Sequence, residues 1–383
     1  MLSESQQDAR SFPSTFPRTA RHAAPAIVGL GTAFPDAVYT QEDIKRLLGI
    51  ENRVVHRLLD SGHVRTRHLI FPPADPSTGR LPEERPGDLH RKFEQGVRDI
   101  GMKATLSALA SANLGPSDID YLVCVTSSGF KVPGISSIIS RELGFSPMLH
   151  RLDVVGMGCN AGMSALYSLA QWSRSNPERV GLLLCCEINS AAYVRDESIR
   201  SGIVNSLFGD GAAAIIVQGS TLSSAAQGWG SQHRQSRPHM LDFASFTLPE
   251  QWGAMRFDWN DEQSKWSFFL SKDIPFVIGK NIDRPVRHML ERHGLEIQNI
   301  AHWVLHTGGA AVIDTGKATL GLSEHDVRHT RSVLRDYGNL SSGSFLVSLE
   351  RLQAEGRASS GDLGVFIAMG PGATIETALV QWQ

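Results

Sequence analysis

The sequence lacks three things: paired cysteines, an excess of charge of either sign, and a long apolar run. Its four cysteines include no C-x-x-C pair, which argues against a disulfide framework or a zinc site. The 37 basic and 39 acidic residues leave a formal charge of -2, so charge gives no reason to expect nucleic acid or an anionic membrane as the main partner. No apolar stretch approaches the length of a membrane span.

What remains is the composition of a globular protein, with 41% hydrophobic and 20% charged residues in a chain of 383. That length suggests two domains or a duplicated one. Residues 1–24 alternate Ser, Arg, Pro and acidic residues without the apolar core of a signal peptide. We therefore expect a flexible N-terminal tail at residues 1–24 and a cytoplasmic protein.

Two stretches of the chain recur in the same order. Residues 114–129 combine a turn, an apolar run and small residues, and this pattern returns at residues 294–309, where a gapless alignment puts Val123 opposite Val304. A second echo pairs two glycine turns that each enter an apolar run, at residues 209–217 and 370–380. Two echoes in one order indicate an internal duplication.

Each half of a duplicated chain is expected to be a layered α/β unit. The apolar runs are short and continuous, which is typical of buried strands whose sheets are covered by helices. The seam falls near residues 220–240, where Ser, Gln and Gly are frequent. We predict an N-terminal half at residues 25–230 and a C-terminal half at residues 231–383.

A glycine-rich turn carries Cys159 between a predicted buried strand and a helix that runs to about Arg174. A thiol at a helix start faces unpaired backbone N–H groups and the positive end of the helix dipole, and both favour the thiolate. Cys159 is therefore the candidate nucleophile. The other three cysteines lie in apolar runs and are expected to be small hydrophobes: Cys124, Cys185 and Cys186.

The same turn permits a second interpretation. Gly156, Gly158 and Ala161 fit the pattern G-x-G-x-x-A between strand and helix, and Glu187 ends the next apolar run as a ribose-binding acid would. From this window alone, dinucleotide binding, a nucleophilic cysteine and tight packing of small residues all stay open.

A nucleophilic thiolate needs a partner for its proton, and the fold supplies that partner from elsewhere in the chain. His306 ends an apolar run and precedes Thr-Gly-Gly, so it is expected where a strand meets a loop. Asn339 stands in a polar stretch before another apolar run, where a helix N-cap explains an asparagine well. Paired with His306, its amide N–H can instead hold a developing oxyanion.

Four motifs together resemble the Cys-His-Asn signatures of type III polyketide synthases, the chalcone synthase-like enzymes of the thiolase superfamily. They are Gly158-Cys159-Asn-Ala-Gly, His306-Thr-Gly-Gly, Tyr337-Gly-Asn339-Leu-Ser-Ser and Met369-Gly-Pro-Gly-Ala-Thr. The spacing suits that family, with 147 positions from Cys159 to His306 and 33 more to Asn339. The resemblance covers about residues 25–383 and implies an α/β, thiolase-like fold with a duplicated, five-layered αβαβα architecture.

The resemblance also implies a reaction. Malonyl-CoA units would be condensed with loss of carbon dioxide on Cys159, and His306 and Asn339 would complete the catalytic set. CoA thioesters would be the substrates, with no metal and no redox cofactor. The family further implies a homodimer, and small crotonase-like accessory enzymes as possible partners.

Longer motifs point to a subgroup of the family. Those that begin at Val155, Val204, His325 and Leu334 are most similar to members that close an eight-carbon chain, built from four malonyl units, into a 3,5-dihydroxyphenylacetyl thioester. Two alternatives stay open. One is another malonyl-derived product, such as a tetrahydroxynaphthalene or a pyrone, and the other, from a different class, is a nucleotide-dependent oxidoreductase.

The resemblance assigns cavity residues as well. Phe208 and Phe268 fall at the family's two gatekeeper phenylalanines, between the CoA tunnel and the cavity. Ser127, Asn189 and Ser341 fall at polar positions that can hold carbonyl oxygens of a growing chain. Ordinary packing remains the alternative for each of these residues.

At the basic positions that hold CoA phosphates in plant members, only Arg57 matches. Val54 and Ser61 stand where lysines would be, so Arg65 and Arg67 are weak substitutes. Without the resemblance, a solvated basic face is the favoured explanation of these arginines, and a phosphate-binding patch is the alternative.

Three further positions concern the shape of the cavity. Val132 replaces a methionine that in plant members reaches into the partner subunit's cavity. Ala192 occupies a position often held by threonine, and Trp266 is expected near the cavity mouth. These departures imply a substrate set different from that of the plant enzymes.

Overall fold

The computed structural model describes residues 24–219, apart from Arg195 and Glu197, and residues 236–383, apart from Gln263. Residues 1–23 of the expected tail and most of the expected seam lie outside this range. Strands β1 to β13 are, in chain order, Ala26–Ala33, Val38–Thr40, Thr66–His68, Tyr121–Thr126, His150–Val155, Val180–Glu187, Gly211–Gln218, Pro238–Thr247, Met255–Asn260, Lys265–Leu270, His302–Leu305, Leu363–Gly370 and Thr374–Trp382.

Helices α1 to α12 are Gln41–Leu48, Arg53–Leu59, Pro86–Gly96, Met102–Ala112, Ile135–Leu143, Ala161–Ser175, Ile199–Leu207, Ile274–Asn281, Asp283–Glu291, Ala310–Leu320, Arg328–Tyr337 and Ser344–Glu355. A π-helical turn at Val97–Gly101 joins α3 to α4.

Nine strands form one sheet in the order β11-β12-β13-β8-β1-β7-β6-β4-β5. The order β4-β6-β7-β1 reappears as β11-β12-β13-β8. In both sets the first two strands are parallel and the later neighbours are antiparallel. This repeat confirms the duplication expected from the sequence echoes. The two halves meet where β1 pairs with β8 through Ala26 and His239.

The core lies in three layers of side chains, because each half of the sheet is covered on both faces. Helices α6 and α12 lie between the halves, where Phe345 packs in one cluster with Val123 and Val304. On the outer faces, Leu122 packs with helices α3 to α5, and Trp303 packs with helices α8 to α10. The order is helix, sheet, helix, sheet, helix, which confirms the expected five layers.

Local signals explain several element boundaries. Thr40 accepts from the Asp43 backbone N–H at 3.2 Å, and the Asp43 carboxylate accepts from the Thr40 N–H at 3.0 Å, so a reciprocal cap begins α1. Residues 86–112 form α3, the π-helical turn and α4. Residues 69–85 contain several prolines and form no helix or strand.

Strand β5 corrects one expectation. The strand before Cys159 was predicted to be buried, yet β5 is the outermost strand of the sheet and exposes most of its side chains. A short apolar run does not distinguish an edge strand from a central one. Among the described residues, no helix has the length and apolar character needed to cross a membrane.

Candidate active site

Cys159 lies in a tight turn between strand β5 and helix α6. Residues Gly158–Asn160 form one 3₁₀ turn, and Gly158 has a φ of +75°. A Cβ atom on Gly158 would lie 2.5 Å from the Pro371 ring. Glycine meets both constraints, so the turn can present Cys159 at the start of α6.

The Cys159 thiol is enclosed by protein except where it meets a cavity. Burial raises the pKa of Cys159 to about 12, although the Ser341 hydroxyl, which donates to Cys159 Sγ at 3.3 Å, acts in the opposite direction. The negative charge of Glu187 raises the pKa further. Burial thus opposes the helix start, and the expectation that the helix start favours the thiolate stays a prediction.

A chain of polar side chains leads away from the sulfur. Ser341 Oγ lies 2.7 Å from Ser127 Oγ, which lies 3.0 Å from Glu187 Oε1. Each hydroxyl has one hydrogen to donate. Ser127 donates to the Glu187 carboxylate, so the hydrogen in the contact between Ser127 and Ser341 comes from Ser341 whenever Ser341 does not donate to Cys159. Burial raises the pKa of Glu187, and the hydrogen bonds that it accepts from Ser342 and Ser127 act in the opposite direction.

Hydrogen bonds to its amide oxygen fix the orientation of the Asn339 side chain. Its Oδ1 accepts from the Ser341 backbone N–H at 2.8 Å and lies 3.4 Å from Ser344 Oγ. Its backbone is fixed beside the gatekeeper segment, since Asn339 N–H donates to Leu207 O at 2.8 Å. Among the described residues, nothing accepts a hydrogen bond from Asn339 Nδ2. Asn339 is buried, and neither it nor His306 is among the residues that line the cavity beside Cys159.

His306 follows the last residue of β11, at the strand end where the sequence places it. Its backbone N–H donates to Ile367 O at 2.9 Å, and the next residue, Thr307, donates to Ser344 Oγ at 2.9 Å. Ser344 thus links the histidine segment to Asn339. The imidazole forms no hydrogen bond or ion pair with any described residue, Cys159 included.

Burial controls the charge of that imidazole. It lowers the pKa of His306 to about 4, so the ring is neutral near pH 7. A neutral imidazole has one nitrogen that accepts a proton and one that donates. His306 is therefore a proton acceptor in its resting state.

A cavity opens beside Cys159. Phe208 and Phe268 line it with their rings edge to face, 5.8 Å apart at 86°. The predicted polar residues Ser127, Asn189 and Ser341 line it too. One amide hydrogen of Asn189 is committed, because Nδ2 donates to Gly209 O at 2.5 Å.

The predicted phosphate-binding arginines separate into two groups. Arg57 and Arg65 are exposed, and Arg57 lies on α2 outside the cavity lining. Arg67 is fully buried and donates to the backbone oxygens of Asn205 and Phe208 at 2.5 and 3.0 Å. The suggestion that Arg67 substitutes for a phosphate-binding residue is therefore wrong, because its guanidinium already holds the backbone of the gatekeeper.

The structure adds residues that the sequence argument missed. Phe257 and Val204 line the cavity, and Phe257 stands directly opposite Phe268 in the hairpin formed by β9 and β10. Alternation along that hairpin is the signal that could have identified Phe257. Tyr193 donates to Phe208 O at 2.5 Å, and Arg67 donates to the same oxygen. The contact between Tyr193 and Phe208 has no local sequence signal.

The position of Glu187 argues against the interpretation of the turn as a dinucleotide-binding motif. Glu187 is fully buried and accepts from the Ser127 backbone N–H and the Ser342 hydroxyl, so it cannot face a ribose. In the described part of the chain, no group of three or more His, Cys, Asp and Glu residues is placed to hold a metal ion.

Two family models cover most of the chain. The N-terminal domain of chalcone and stilbene synthases matches residues 14–221, and the C-terminal domain matches residues 245–382. Similar solved structures share the fold. PKS-I from the brown alga Ectocarpus siliculosus superposes with a TM-score of 0.84 at 23% identity and covers 96% of this chain and 100% of its own.

Curated relatives are similar along nearly the whole length. The 3,5-dihydroxyphenylacetyl-CoA synthases of Amycolatopsis balhimycina and Streptomyces toyocaensis are 45% and 44% identical, over 92% and 94% of this chain and 92% and 90% of theirs. The 1,3,6,8-tetrahydroxynaphthalene synthase of Streptomyces peucetius subsp. caesius is 28% identical over 93% of both chains.

Proposed function

Because this chain belongs to the chalcone and stilbene synthase family of type III polyketide synthases, we propose that it makes 3,5-dihydroxyphenylacetyl-CoA from malonyl-CoA alone. The similarity to two 3,5-dihydroxyphenylacetyl-CoA synthases, 45% and 44% against 28% for the tetrahydroxynaphthalene synthase, carries the proposal. A tetrahydroxynaphthalene or a pyrone is the alternative product. The family assignment excludes the oxidoreductase considered from the sequence.

We assign the loading step to Cys159 and His306. The thiol is neutral at rest, so its proton must leave as the sulfur attacks the malonyl thioester. His306 is neutral and can accept that proton. A carbon–sulfur bond to Cys159 forms, the bond to CoA breaks, and the proton leaves with the CoA thiol. An imidazolium beside a thiolate stabilises both charges.

We assign the decarboxylation step to Asn339 and His306. When malonyl-CoA loses carbon dioxide, the electron pair of the broken bond forms an enolate whose oxygen needs hydrogen-bond donors. The free amide hydrogens of Asn339 and the N–H of His306 are suited to that oxygen. The enolate carbon then attacks the thioester on Cys159, and the lengthened chain leaves the sulfur as a CoA thioester.

The proposed product needs no oxidant. Four malonyl units supply twelve carbons and lose four as carbon dioxide, which leaves eight. One carbon–carbon bond closes the ring, and loss of one water with enolisation gives the dihydroxyphenyl ring. Ser127, Asn189 and Ser341 would hold carbonyl oxygens of the chain, while Phe208 and Phe268 would exclude bulky groups.

The test of this specificity is the choice of starter. We expect the protein to consume malonyl-CoA without any second thioester and to leave an aromatic starter such as coumaroyl-CoA unextended. Competition between the two, with products separated by mass spectrometry, measures the preference. Efficient extension of coumaroyl-CoA would overturn the proposed product while leaving the family assignment intact.

We also propose a homodimer that uses the β5 edge. Large apolar side chains on β5 and its flanking loops are exposed, including Phe130 at 71%, Val132 at 78% and Met148 at 85%. An exposed strand edge beside apolar side chains is typical of an association surface.

Three further expectations remain predictions. They are crotonase-like accessory enzymes that speed product formation, independence from metal and redox cofactors, and a cytoplasmic location.

A further inference from the structure

Strand β3 contacts the backbone of two separate segments of the site. The Thr66 hydroxyl donates to Asp336 O at 2.9 Å, three residues before Asn339. The next residue, Arg67, donates from its guanidinium to Phe208 O at 3.0 Å. One short strand therefore holds the main chain on the way to the catalytic asparagine and the main chain of the gatekeeper.

The same two segments are also bound directly to each other. Asn339 N–H donates to Leu207 O at 2.8 Å, and Gly209 N–H donates to Asn339 O at 3.1 Å. These two bonds make an isolated parallel bridge between Asn339 and Phe208. Both main-chain polar groups of Asn339 are thus committed to the neighbours of Phe208, so a shift of the gatekeeper backbone moves Asn339 with it.

Tight packing beside the bridge leaves no room for a compensating movement. Gly338, the residue before Asn339, has a φ of +73°. A Cβ atom on Gly338 would clash with Leu207 O and would lie 3.1 Å from the side-chain carbons of Arg67. The stem of Arg67 therefore fills the space on one side of the bridge, and its guanidinium fixes the other side.

The chemistry of an arginine suits this task. Arg67 is fully buried, and burial lowers its pKa, so its environment disfavours the charge that it carries. The planar fork of donors reaches Asn205 O at 2.5 Å, Phe208 O at 3.0 Å and Gln41 Oε1 at 2.7 Å at the same time. A lysine ammonium is a single point and cannot reach all three oxygens.

We propose that Arg67 is a positioning residue, which sets the place of the Asn339 amide by fixing the gatekeeper backbone. This inference rests on the proposed function, which assigns Asn339 to the enolate oxygen formed from malonyl-CoA. Arg67 does not line the cavity, so it acts through Phe208 and Asn339 and not on the substrate. A misplacement of about 1 Å can lower a rate about a hundredfold.

The experiment is a double-variant cycle on carbon dioxide release from carboxyl-labelled malonyl-CoA. We expect Arg67→Lys to lower kcat about ten- to a hundredfold and to change KM less than about threefold, because an oriented donor is lost and not a binding contact. In the Asn339→Ala background, the same substitution should change the rate less than about twofold, because the amide that Arg67 positions is already absent.

Two further variants keep the test independent of stability. Leu109→Ala is the matched control, because it removes packing from the buried face of α4, away from the cavity, and should destabilise the fold while keeping the wild-type rate. Tyr193→Phe removes the second donor to Phe208 O and leaves Arg67 in place. It should lower the rate a few-fold in the wild type and not at all in Asn339→Ala, and it replaces Arg67→Lys if that variant does not fold.

The outcomes separate this inference from the proposed function. A loss that is equally large with and without the Asn339 side chain would overturn the inference, because Arg67 would then act by another route. Near-normal release by Arg67→Lys would overturn it too. A wild-type protein that releases no carbon dioxide from malonyl-CoA would reject the proposed function and this inference with it, whereas normal release without coupling would reject the inference alone.

Discussion

The chemistry of the site depends on groups that burial keeps uncharged. Burial raises the pKa of the Cys159 thiol to about 12 and lowers that of the His306 imidazole to about 4. Both shifts favour the neutral form of each side chain. Asn339 differs, because it is oriented by hydrogen bonds and carries no charge at any stage.

The role of Asn339 can be separated from that of the thiol. Loss of one oxyanion donor usually lowers a rate about a hundred- to a thousandfold. We expect Asn339→Ala to lower carbon dioxide release from malonyl-CoA by this factor, measured with carboxyl-labelled substrate. Alkylation of Cys159 by iodoacetamide should stay close to that of the wild type, and Cys159→Ala is the control for alkylation at other sites. Near-normal release by Asn339→Ala would contradict the role.

The buried His306 makes stability depend on pH. Its pKa is about 4 in the folded protein and about 6.5 in an unfolded chain, so between these values only the unfolded chain binds the proton. The contribution to the free energy of unfolding is present above about pH 6.5 and is lost as the pH falls towards 4, by about 3 kcal/mol. Between pH 6.5 and 4, the free energy of unfolding of His306→Asn should therefore fall by about 3 kcal/mol less than that of the wild type, as measured by urea titration.

The difference between the two proteins isolates this effect from that of other titrating groups. The exposed His63 gives a matched control, because His63→Asn removes a histidine that the fold does not bury. Parallel pH profiles for the wild type and His306→Asn would show that the imidazole is not buried in neutral form.

At this scale the sequence identifies the chemically active residues but not their environment. The residue types and order of Cys159, His306 and Asn339 are local features of the chain. Their pKa values depend on burial by segments distant in sequence. The same limit applies to Glu187, which the sequence offers as a ribose-binding acid and the fold encloses beside Ser127.

At the scale of elements, a buried arginine joins the wall of the site to its supporting segments. Arg67 on β3 donates to Asn205 O, to Phe208 O and to the Gln41 side chain on α1. Tyr193 donates to the same Phe208 oxygen. The gatekeeper thus stands on a hydrogen-bond network that couples a strand to two helix ends.

Removing this network should destabilise the fold. Hydrogen bonds to charged groups contribute about 1.5 to 3 kcal/mol each, and buried carbonyls left without donors add a cost, so we expect Arg67→Leu to lose about 3 kcal/mol or more. The neighbouring Arg65 is exposed, and Arg65→Leu should change stability by less than about 0.5 kcal/mol. Urea unfolding measures both, and equal effects would contradict the structural role of Arg67.

Elements with strong local signals can be predicted from the sequence, and features that depend on the assembled sheet cannot. The cap of α1 is encoded by Thr40 and Asp43, three residues apart. The edge position of β5 depends on which strands join the sheet, and no pattern within His150–Val155 encodes it. The position of Phe257 opposite Phe268 depends in the same way on cross-strand register.

At the scale of the whole molecule, duplication explains both the architecture and the division of the site. Cys159 belongs to the first half, and His306 and Asn339 belong to the second. Sequence echoes sufficed to predict the repeat, because equivalent strands keep apolar residues such as Val123 and Val304 facing the central layer. The first half has one additional strand, β5, and that strand leaves an apolar edge exposed.

That edge predicts the state of association. We expect sedimentation velocity to give twice the mass of one chain for the wild type. The double variant Phe130→Lys/Met148→Lys should have the mass of a single chain. Both side chains are exposed in the single chain, so the substitutions cost little unless a partner covers them. Phe276→Lys, on the exposed side of α8, should keep the mass of the wild type. A wild-type monomer, or a double variant that stays dimeric, would contradict this surface.

The most direct test of the proposed synthesis supplies malonyl-CoA labelled with carbon-13 at every malonyl carbon as the only substrate. The account predicts an aromatic product, free acid or CoA ester, whose eight acyl carbons are all labelled, together with labelled carbon dioxide. Cys159→Ala should yield neither. A ten-carbon naphthalene, a pyrone, or a product containing unlabelled acyl carbons would contradict the claim that this chain builds 3,5-dihydroxyphenylacetyl-CoA from malonyl-CoA alone.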